Sequence, residues 1–331
     1  MPPTRWAVAG PGTIANNLAP DFAHVPDAEL FAVGSRSARR AEAFAREHGV
    51  ERAHGSHADL VADPDVDVIY IATPHPQHHA IAVAALRAGK AVLVEKAFTA
   101  TLAGAEEVVA EARRHGVFAM EAMWTRFQPA VVRVRELLAE GAIGEVLAVA
   151  ADLGVRREFD PADRLFARGT GGGALLDLGV YPISFAQMIL GTPDTVATVG
   201  AYAPNGVESS ATLLLGWADG RAATAATSLH SPMPGRAIVY GTGGWIDIPP
   251  RFHHPTGFVL HRDGREPEAV ELPPRSRGYA EELVEVTECV RAGRLESETM
   301  PLADTLAVMA VLDRAAAQLG VPRAEDPGVE V

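Results

Sequence analysis

The sequence predicts an α/β fold in two parts. A doubly wound parallel sheet comes first, followed by an α+β domain built on a large, mostly antiparallel open sheet. Two observations predict this. Over roughly the first 120 residues, short apolar runs alternate with amphipathic helical stretches, the pattern of βα units. Between residues 195 and 272, apolar runs instead follow one another with turn signals and no helix between them.

The elements follow in order. Residues 6–9, 29–33, 66–72 and 91–94 are short apolar runs that suit buried parallel strands, and Phe118 and Ala119 begin a fifth. Between them, residues 38–48, 78–88 and 102–115 carry helical patterns stopped near Gly49, Gly89 and Gly116. Residues 129–140 read as a helix ending at Gly141, 146–154 as a strand, and 173–190 as a helix ending at Gly191. Strands are expected at 196–202, 209–217, 222–229, 236–240, 245–248 and 258–261, with turns at Asp219-Gly220 and Asp263-Gly264. Helices over 279–292 and 302–318 close the chain. The resulting division is a dinucleotide-type domain over 1–122, a substrate and dimerisation domain over 123–300, and a C-terminal helix and tail over 301–331 that packs back on the first domain.

Composition removes several functional classes. Of 331 residues, 48% are hydrophobic and 21% charged, which is ordinary for a globular chain and wrong for disorder. Lys and Arg number 29 against 42 Asp and Glu, a net charge of −13, which argues against general nucleic-acid binding. Cys289 is the one cysteine, so an intrachain disulfide and a cysteine-based zinc site are both excluded. The start of the chain lacks a basic segment followed by a long apolar run, and no apolar stretch reaches about 18 residues. The expectation is a cytoplasmic protein without a membrane partner.

The first strand runs into Gly10-Pro11-Gly12-Thr13-Ile14-Ala15, the spacing G-x-G-x-x-A. In a strand–turn–helix setting the first glycine makes the tight turn, the second admits a pyrophosphate close to backbone, and the small third residue lets helix and strand pack. Gly10, Gly12, Thr13 and Ile14 are therefore read as cofactor-binding residues in a Rossmann domain. The end of the second strand chooses the cofactor. An acidic residue there would hold a ribose 2′-hydroxyl, but the sequence reads Gly34-Ser35-Arg36-Ser37-Ala38-Arg39-Arg40. Ser35 can donate to a 2′-phosphate, and Arg36 and Arg40 bring permanent charge. NADP(H) is the expected cofactor, with NAD(H) less favoured.

Three further segments carry a resemblance. They are Ala72-Thr73-Pro74-His75-Pro76-Gln77-His78-His79, Val94-Glu95-Lys96-Ala97 within residues 88–99, and Gly171-Gly172-Gly173 through Asp177-Leu178-Gly179-Val180-Tyr181-Pro182. With the N-terminal turn they resemble the Gfo/Idh/MocA oxidoreductases over nearly the whole chain. Gly241-Thr242-Gly243-Gly244-Trp245-Ile246 is similar to that family's sheet motif. Residues 120–127 and Tyr181 are most similar to the branch of dimeric dihydrodiol dehydrogenase and NADP-dependent D-xylose dehydrogenase. The resemblance implies hydride transfer between a nicotinamide and a carbinol or carbonyl carbon, and a second domain whose open sheet often mediates dimerisation. It maps the family's lysine onto Lys96 and the branch's tyrosine onto Tyr181. Thr73, Pro74, His75, His78, Glu95 and Lys96 fall in its cofactor-binding segments. The family's proline after the lysine is Ala97 here. Its Lys-Pro peptide is commonly cis, and a cis bond before a residue other than proline costs ~2.5–4 kcal/mol. The sequence leaves that isomer open.

Oxidising an alcohol removes a hydride from carbon and a proton from oxygen. A free tyrosine, with a pKa of ~10, is a poor base at neutral pH, and a nearby ammonium favours its phenolate. Tyr181 is therefore assigned as general acid/base, with Lys96 assisting it. Asp177, one helical turn earlier, is a candidate for a substrate hydroxyl or for a helix cap. His75, His78 and His79 lack a convincing fourth ligand, so no metal is expected. The resemblance implies that Trp124 walls the substrate pocket, with Arg126 and Phe127 beside it as substrate-binding candidates, Trp124 reading equally as core between domains; Phe252-His253-His254-Pro255 is expected as a loop over the site. The expected reaction is that of an aldose or cyclic-diol dehydrogenase. An anhydrosugar or inositol-type reductase, and a silent NADP-binding sensor, are the alternatives; Tyr181 in place of histidine disfavours the inositol form. A small sugar or cyclic diol and a second copy of the chain are the expected partners, the latter through the open sheet.

Overall fold

A computed structural model describes residues 2–331. The chain divides into two compact units. The first comprises Met1–Met123, Arg275–Leu306 and Ala324–Val331, and the second Trp124–Pro274 and Ala307–Arg323.

The first unit is built on a six-stranded parallel sheet. Its elements run β1 (Thr4–Ala9), α1 (Thr13–Leu18), β2 (Ala28–Gly34), α2 (Ala38–His48), β3 (Arg52–His54), α3 (His57–Ala62), β4 (Val68–Ile71), α4 (His75–Arg87), β5 (Ala91–Glu95), α5 (Leu102–His115) and β6 (Ala119–Ala122). The order β3-β2-β1-β4-β5-β6 reverses direction at β1, the switch point where doubly wound folds bind their ligands. Strands β1, β4 and β5 are buried almost throughout because helices cover both faces, which is why they read as continuous apolar runs. Helix α5 starts at Thr101, whose side chain accepts from the Gly104 amide, and stops at left-handed Gly116.

The second unit contains α6 (Pro129–Ala139), β7 (Val146–Gly154), α7 (Val180–Leu190), β8 (Thr195–Tyr202), β9 (Glu208–Gly216), β10 (Ala222–Ser228), β11 (Ala237–Gly241), β12 (Gly244–Ile248), β13 (Gly257–Arg262) and β14 (Glu268–Glu271). Its eight strands lie in the order β14-β13-β12-β11-β7-β10-β9-β8. All neighbours are antiparallel except β7 and β10, which pair in parallel. Alternation along the strands follows from the arrangement. Val149, Leu213, Leu215, Ala223, Val239 and Ile246 are buried on one face, where α7 packs against β7 and β10. A π-helical stretch over Leu175–Gly179 leads directly into α7.

Helices α8 (Ala280–Arg291) and α9 (Leu302–Gln318) follow. The division expected from the sequence put residues 275–300 with the second domain, whereas they belong to the first unit. The physical reason is a set of buried polar ties. Asp21 accepts from the backbone amides of Tyr279 and Ala280 at the start of α8, and the Trp6 indole donates to Thr287 at 3.2 Å. Of the terminal segment, residues 302–306 and 324–331 group with the first unit and residues 307–323 with the second.

Candidate active site

In the first unit, β1 ends at Gly10, whose φ is +95°. A side chain there would meet Thr73 Cγ2 at 2.9 Å and the Ala72 carbonyl oxygen at 3.1 Å, so only glycine fits. The Gly12 amide donates to the Gly10 carbonyl at 2.8 Å, closing the turn. Arg40 Nη2 reaches the Pro11 carbonyl from α2 at 3.4 Å, tying that helix to the turn. The buried hydroxyl of Thr73, beside Gly10, has no hydrogen-bond partner within the described residues. A tight glycine cradle next to an unpaired buried hydroxyl fits a dinucleotide pyrophosphate, the ligand expected from this turn.

At the end of β2, Ser35 is buried and its Oγ accepts from the Ser37 amide at 3.2 Å. Arg36, Arg39 and Arg40 are exposed at the start of α2. Arg36 also lies near His57: burial, and then the charge of Arg36, push the His57 imidazole below its usual pKa. No carboxylate stands between Gly34 and Arg40.

The loops after β4 and β5 are laced together by histidines. His78 is buried, with Nδ1 facing the Ala97 carbonyl at 3.1 Å and Nε2 facing the Thr73 carbonyl at 2.7 Å. Burial lowers its pKa to about 4, against the opposing pull of those carbonyls, so it is neutral at ordinary pH. His75 is buried too, and its Nε2 faces the Lys96 carbonyl at 3.2 Å. Glu95 accepts from the Tyr70 hydroxyl at 2.5 Å and from the Lys96 amide at 3.2 Å. The Lys96–Ala97 peptide is cis. His75, His78 and Glu95 were expected to contact the cofactor. Each is buried and makes contact with the backbone of the Thr73 or Lys96 segment.

The second unit gathers an aromatic cluster. Trp124 Nε1 donates to the Tyr181 hydroxyl at 3.1 Å. The Trp124 ring stacks on His254, with centroids 4.8 Å apart and planes 12° apart, and Tyr181 and His253 lie at 5.1 Å between centroids. Asp177, in the π-helical stretch before Tyr181, accepts from Arg164 Nη2 at 2.8 Å. Arg126 and Phe252 were expected to contact substrate. Arg126 is buried and bonded to Gln187 Oε1 at 2.5 Å and to Ser184 Oγ at 3.4 Å. Phe252 is fully buried, edge-on to Phe185 at 5.5 Å. Phe127 is buried as well. Phe252 also meets the cluster edge-on through His253, at 6.0 Å between centroids. The sequence reading placed His253 and His254 in the loop with Phe252 and gave them no individual role; their packing against Trp124 and Tyr181 depends on where that loop runs.

Among the described residues no group of three or more His, Cys, Asp or Glu side chains is placed to hold a metal ion.

The family model described as "Oxidoreductase family, NAD-binding Rossmann fold" matches residues 4–123, and the "GFO/IDH/MocA C-terminal domain" matches residues 131–247. A trans-1,2-dihydrobenzene-1,2-diol dehydrogenase from Mus musculus is 36% identical over 336 residues, covering 97% of this chain and 98% of its own. The chain belongs to the GFO/IDH/MocA family. It is an oxidoreductase of the dehydrogenase type with a nicotinamide-binding first unit. An aldose-aldose oxidoreductase from Caulobacter crescentus matches with a TM-score of 0.88 at 26% identity, covering 96% of this chain and 98% of that one. A 3-ketoreductase from Actinomadura kijaniata, solved with NADP and TDP-benzene, matches with a TM-score of 0.84 at 28% identity, covering 96% and 98%.

Proposed function

We propose that this family member transfers a hydride between NADP(H) and a hydroxyl or carbonyl carbon of an aldose or cyclic diol, with Tyr181 as general acid/base and Lys96 as its assistant. The observation that carries the reading is Tyr181 itself. Its hydroxyl is held by a directional hydrogen bond at the start of α7, in the position where the family motif requires a proton carrier. The nicotinamide, when bound, accepts or supplies the hydride. The rest is work for side chains. In the oxidative direction Tyr181 accepts the substrate's hydroxyl proton, and in reduction it returns it. The Lys96 ammonium favours the phenolate and hydrogen-bonds the reacting oxygen. Asp177, fixed by Arg164, offers a carboxylate oxygen to a neighbouring substrate hydroxyl. Trp124 supplies the flat apolar face on which a sugar or diol ring packs.

The preference for NADP rests on Ser35 and the exposed guanidinium groups of Arg36, Arg39 and Arg40 where an NAD-specific chain would carry a carboxylate. The substrate class is supported by the names of the relatives, a dihydrodiol dehydrogenase and an aldose-aldose oxidoreductase. We further propose that a second copy of the chain covers the open face of the eight-stranded sheet.

The test is NADPH formation from NADP with D-xylose, D-glucose and a trans-dihydrodiol of benzene, run beside NAD and the Tyr181→Phe variant. Turnover should favour NADP and fall by about 10²–10⁴-fold in Tyr181→Phe. Equal use of NAD, or full activity in Tyr181→Phe, refutes the corresponding part of the reading.

A further inference from the structure

The Trp124–Tyr181 bond has a fixed direction. An indole N–H can only donate, so at 3.1 Å the Tyr181 oxygen must be the acceptor. A hydroxyl that accepts at this position sends its own proton along another direction, and a donor aimed at the oxygen stabilises the phenolate more than the phenol. The indole is itself held in place. His254 stacks flat on it at 4.8 Å, and the Trp124 carbonyl accepts from Gln128 Nε2 at 3.0 Å.

The loop that delivers His254 is anchored on both sides. Thr125 Oγ1 donates to the His253 carbonyl at 2.8 Å, the Phe252 amide donates to the Gly235 carbonyl at 2.8 Å, and the Phe252 ring is fully buried against Phe185. Arg251 takes a left-handed conformation, φ 73°, and the His254 amide closes the turn on the Arg251 carbonyl at 2.7 Å. So a turn far along the chain fixes the ring that fixes the indole that points at the acid/base.

We propose that Trp124 is a positioning residue for Tyr181: its indole N–H orients the hydroxyl and favours the ionised form, and His254 holds the indole in that orientation by stacking. This rests on the assignment of Tyr181 as proton carrier and deepens it. Trp124 then does more than wall a pocket. Titratable groups around Tyr181 in its own unit include His253, with its ring at 5.1 Å, His254 beyond Trp124, and Asp177 on the preceding turn with its partner Arg164. The proposed mechanism adds Lys96.

The test reads the phenol directly. Tyrosinate absorbance is titrated in the wild-type protein and in Tyr181→Phe, and the difference isolates Tyr181 among the five tyrosines. The same subtraction is made in Trp124→Phe, which removes the donor, and in Trp124→His, which keeps an aromatic ring with an N–H. In wild type, Tyr181 should ionise below the ~10 of a free tyrosine. In Trp124→Phe its acid constant should fall about tenfold, as expected when a hydrogen bond to a charged acceptor is lost, and Trp124→His should recover part of that. The pH–kcat profile should move with it, whereas a residue that merely walls the pocket would change KM and leave the profile in place.

An unchanged Tyr181 titration in folded Trp124→Phe overturns the proposal. If neither variant folds, a wild-type Tyr181 that ionises at or above the free value overturns it. A shifted titration in a protein that turns over none of the substrates leaves the indole–phenol coupling standing and refutes the assigned reaction instead.

Discussion

His78 shows how one side chain ties the first unit together. Its ring bridges the loop after β4 and the loop after β5, the two segments that present Thr73 and Lys96. Because it is buried, it stays neutral down to about pH 4, while in the unfolded chain it protonates near 6.5. The sign of the linkage follows. Above 6.5 both states are neutral and the contribution of His78 is fully present. As pH falls from 6.5 to about 4, the unfolded chain takes up a proton that the folded chain refuses, and on the order of 3 kcal/mol is lost. Denaturant unfolding of wild type across that window should show the decline, and His78→Gln, which cannot titrate, should show a shallower one. Equal slopes would mean that other groups carry the acid sensitivity. The resemblance marked His78 by placing it in a cofactor-binding segment. It could not show that both nitrogens turn inward, because that depends on where the loop after β5 runs.

At the scale of elements, the long periodic segments were legible and the short polar ones were not. Helices α2 and α5 have the expected limits because a glycine in the left-handed conformation stops each of them. Strand β3 has three residues and β14 reads Glu268-Ala269-Val270-Glu271, so neither offers an apolar alternation to read. Helix α3 is short, and its only sequence mark was Ser56, whose side chain accepts from the Asp59 amide. Helix α8 was legible as a helix but its allegiance was not. That is settled by Asp21, fully buried, which accepts from Ser276 Oγ at 2.7 Å, from the Tyr279 amide at 2.8 Å and from the Ala280 amide at 3.1 Å. Removing it would strand amide donors away from water. Asp21→Ala should therefore cost about 2–4 kcal/mol of unfolding free energy, and hydrogen exchange should rise first at the start of α8. A loss near zero would mean that water replaces the carboxylate. The aromatic cluster of the candidate site was the least legible feature. Trp124, Tyr181 and His254 are far apart in sequence, and their meeting depends on the turn at Arg251–His254 and on the packing of Phe252.

The eight-stranded sheet raises a question for the molecule as a whole, since α7 covers only one of its faces. On the other, the register aligns Ala197, Leu214, Thr224 and Ala150 across β8, β9, β10 and β7, and continues through Ile238 and Asp247 into β12. Apart from Asp247, which pairs with Arg236, the residues named in this row are small or apolar. Val199 is 71% exposed and Leu214 55%, and Tyr240 and Trp245, cross-strand partners, are 41% and 42% exposed. Trp245 stacks on its cross-strand partner His261, with centroids 4.3 Å apart and planes 10° apart. A broad flat apolar face of this kind is costly to leave in water, and small residues let an equally flat surface approach it closely. A twofold pairing of the face with itself needs no other partner, because an isologous contact uses the same patch twice. Light scattering at micromolar concentration should therefore give at least twice the mass of one chain. Leu214→Glu with Trp245→Glu places like charges opposite one another across the twofold, and should reduce the species to single chains while leaving the far-ultraviolet spectrum unchanged. A wild-type mass of one chain would refute the pairing, and an unchanged oligomer in the charged variant would move the contact to another surface.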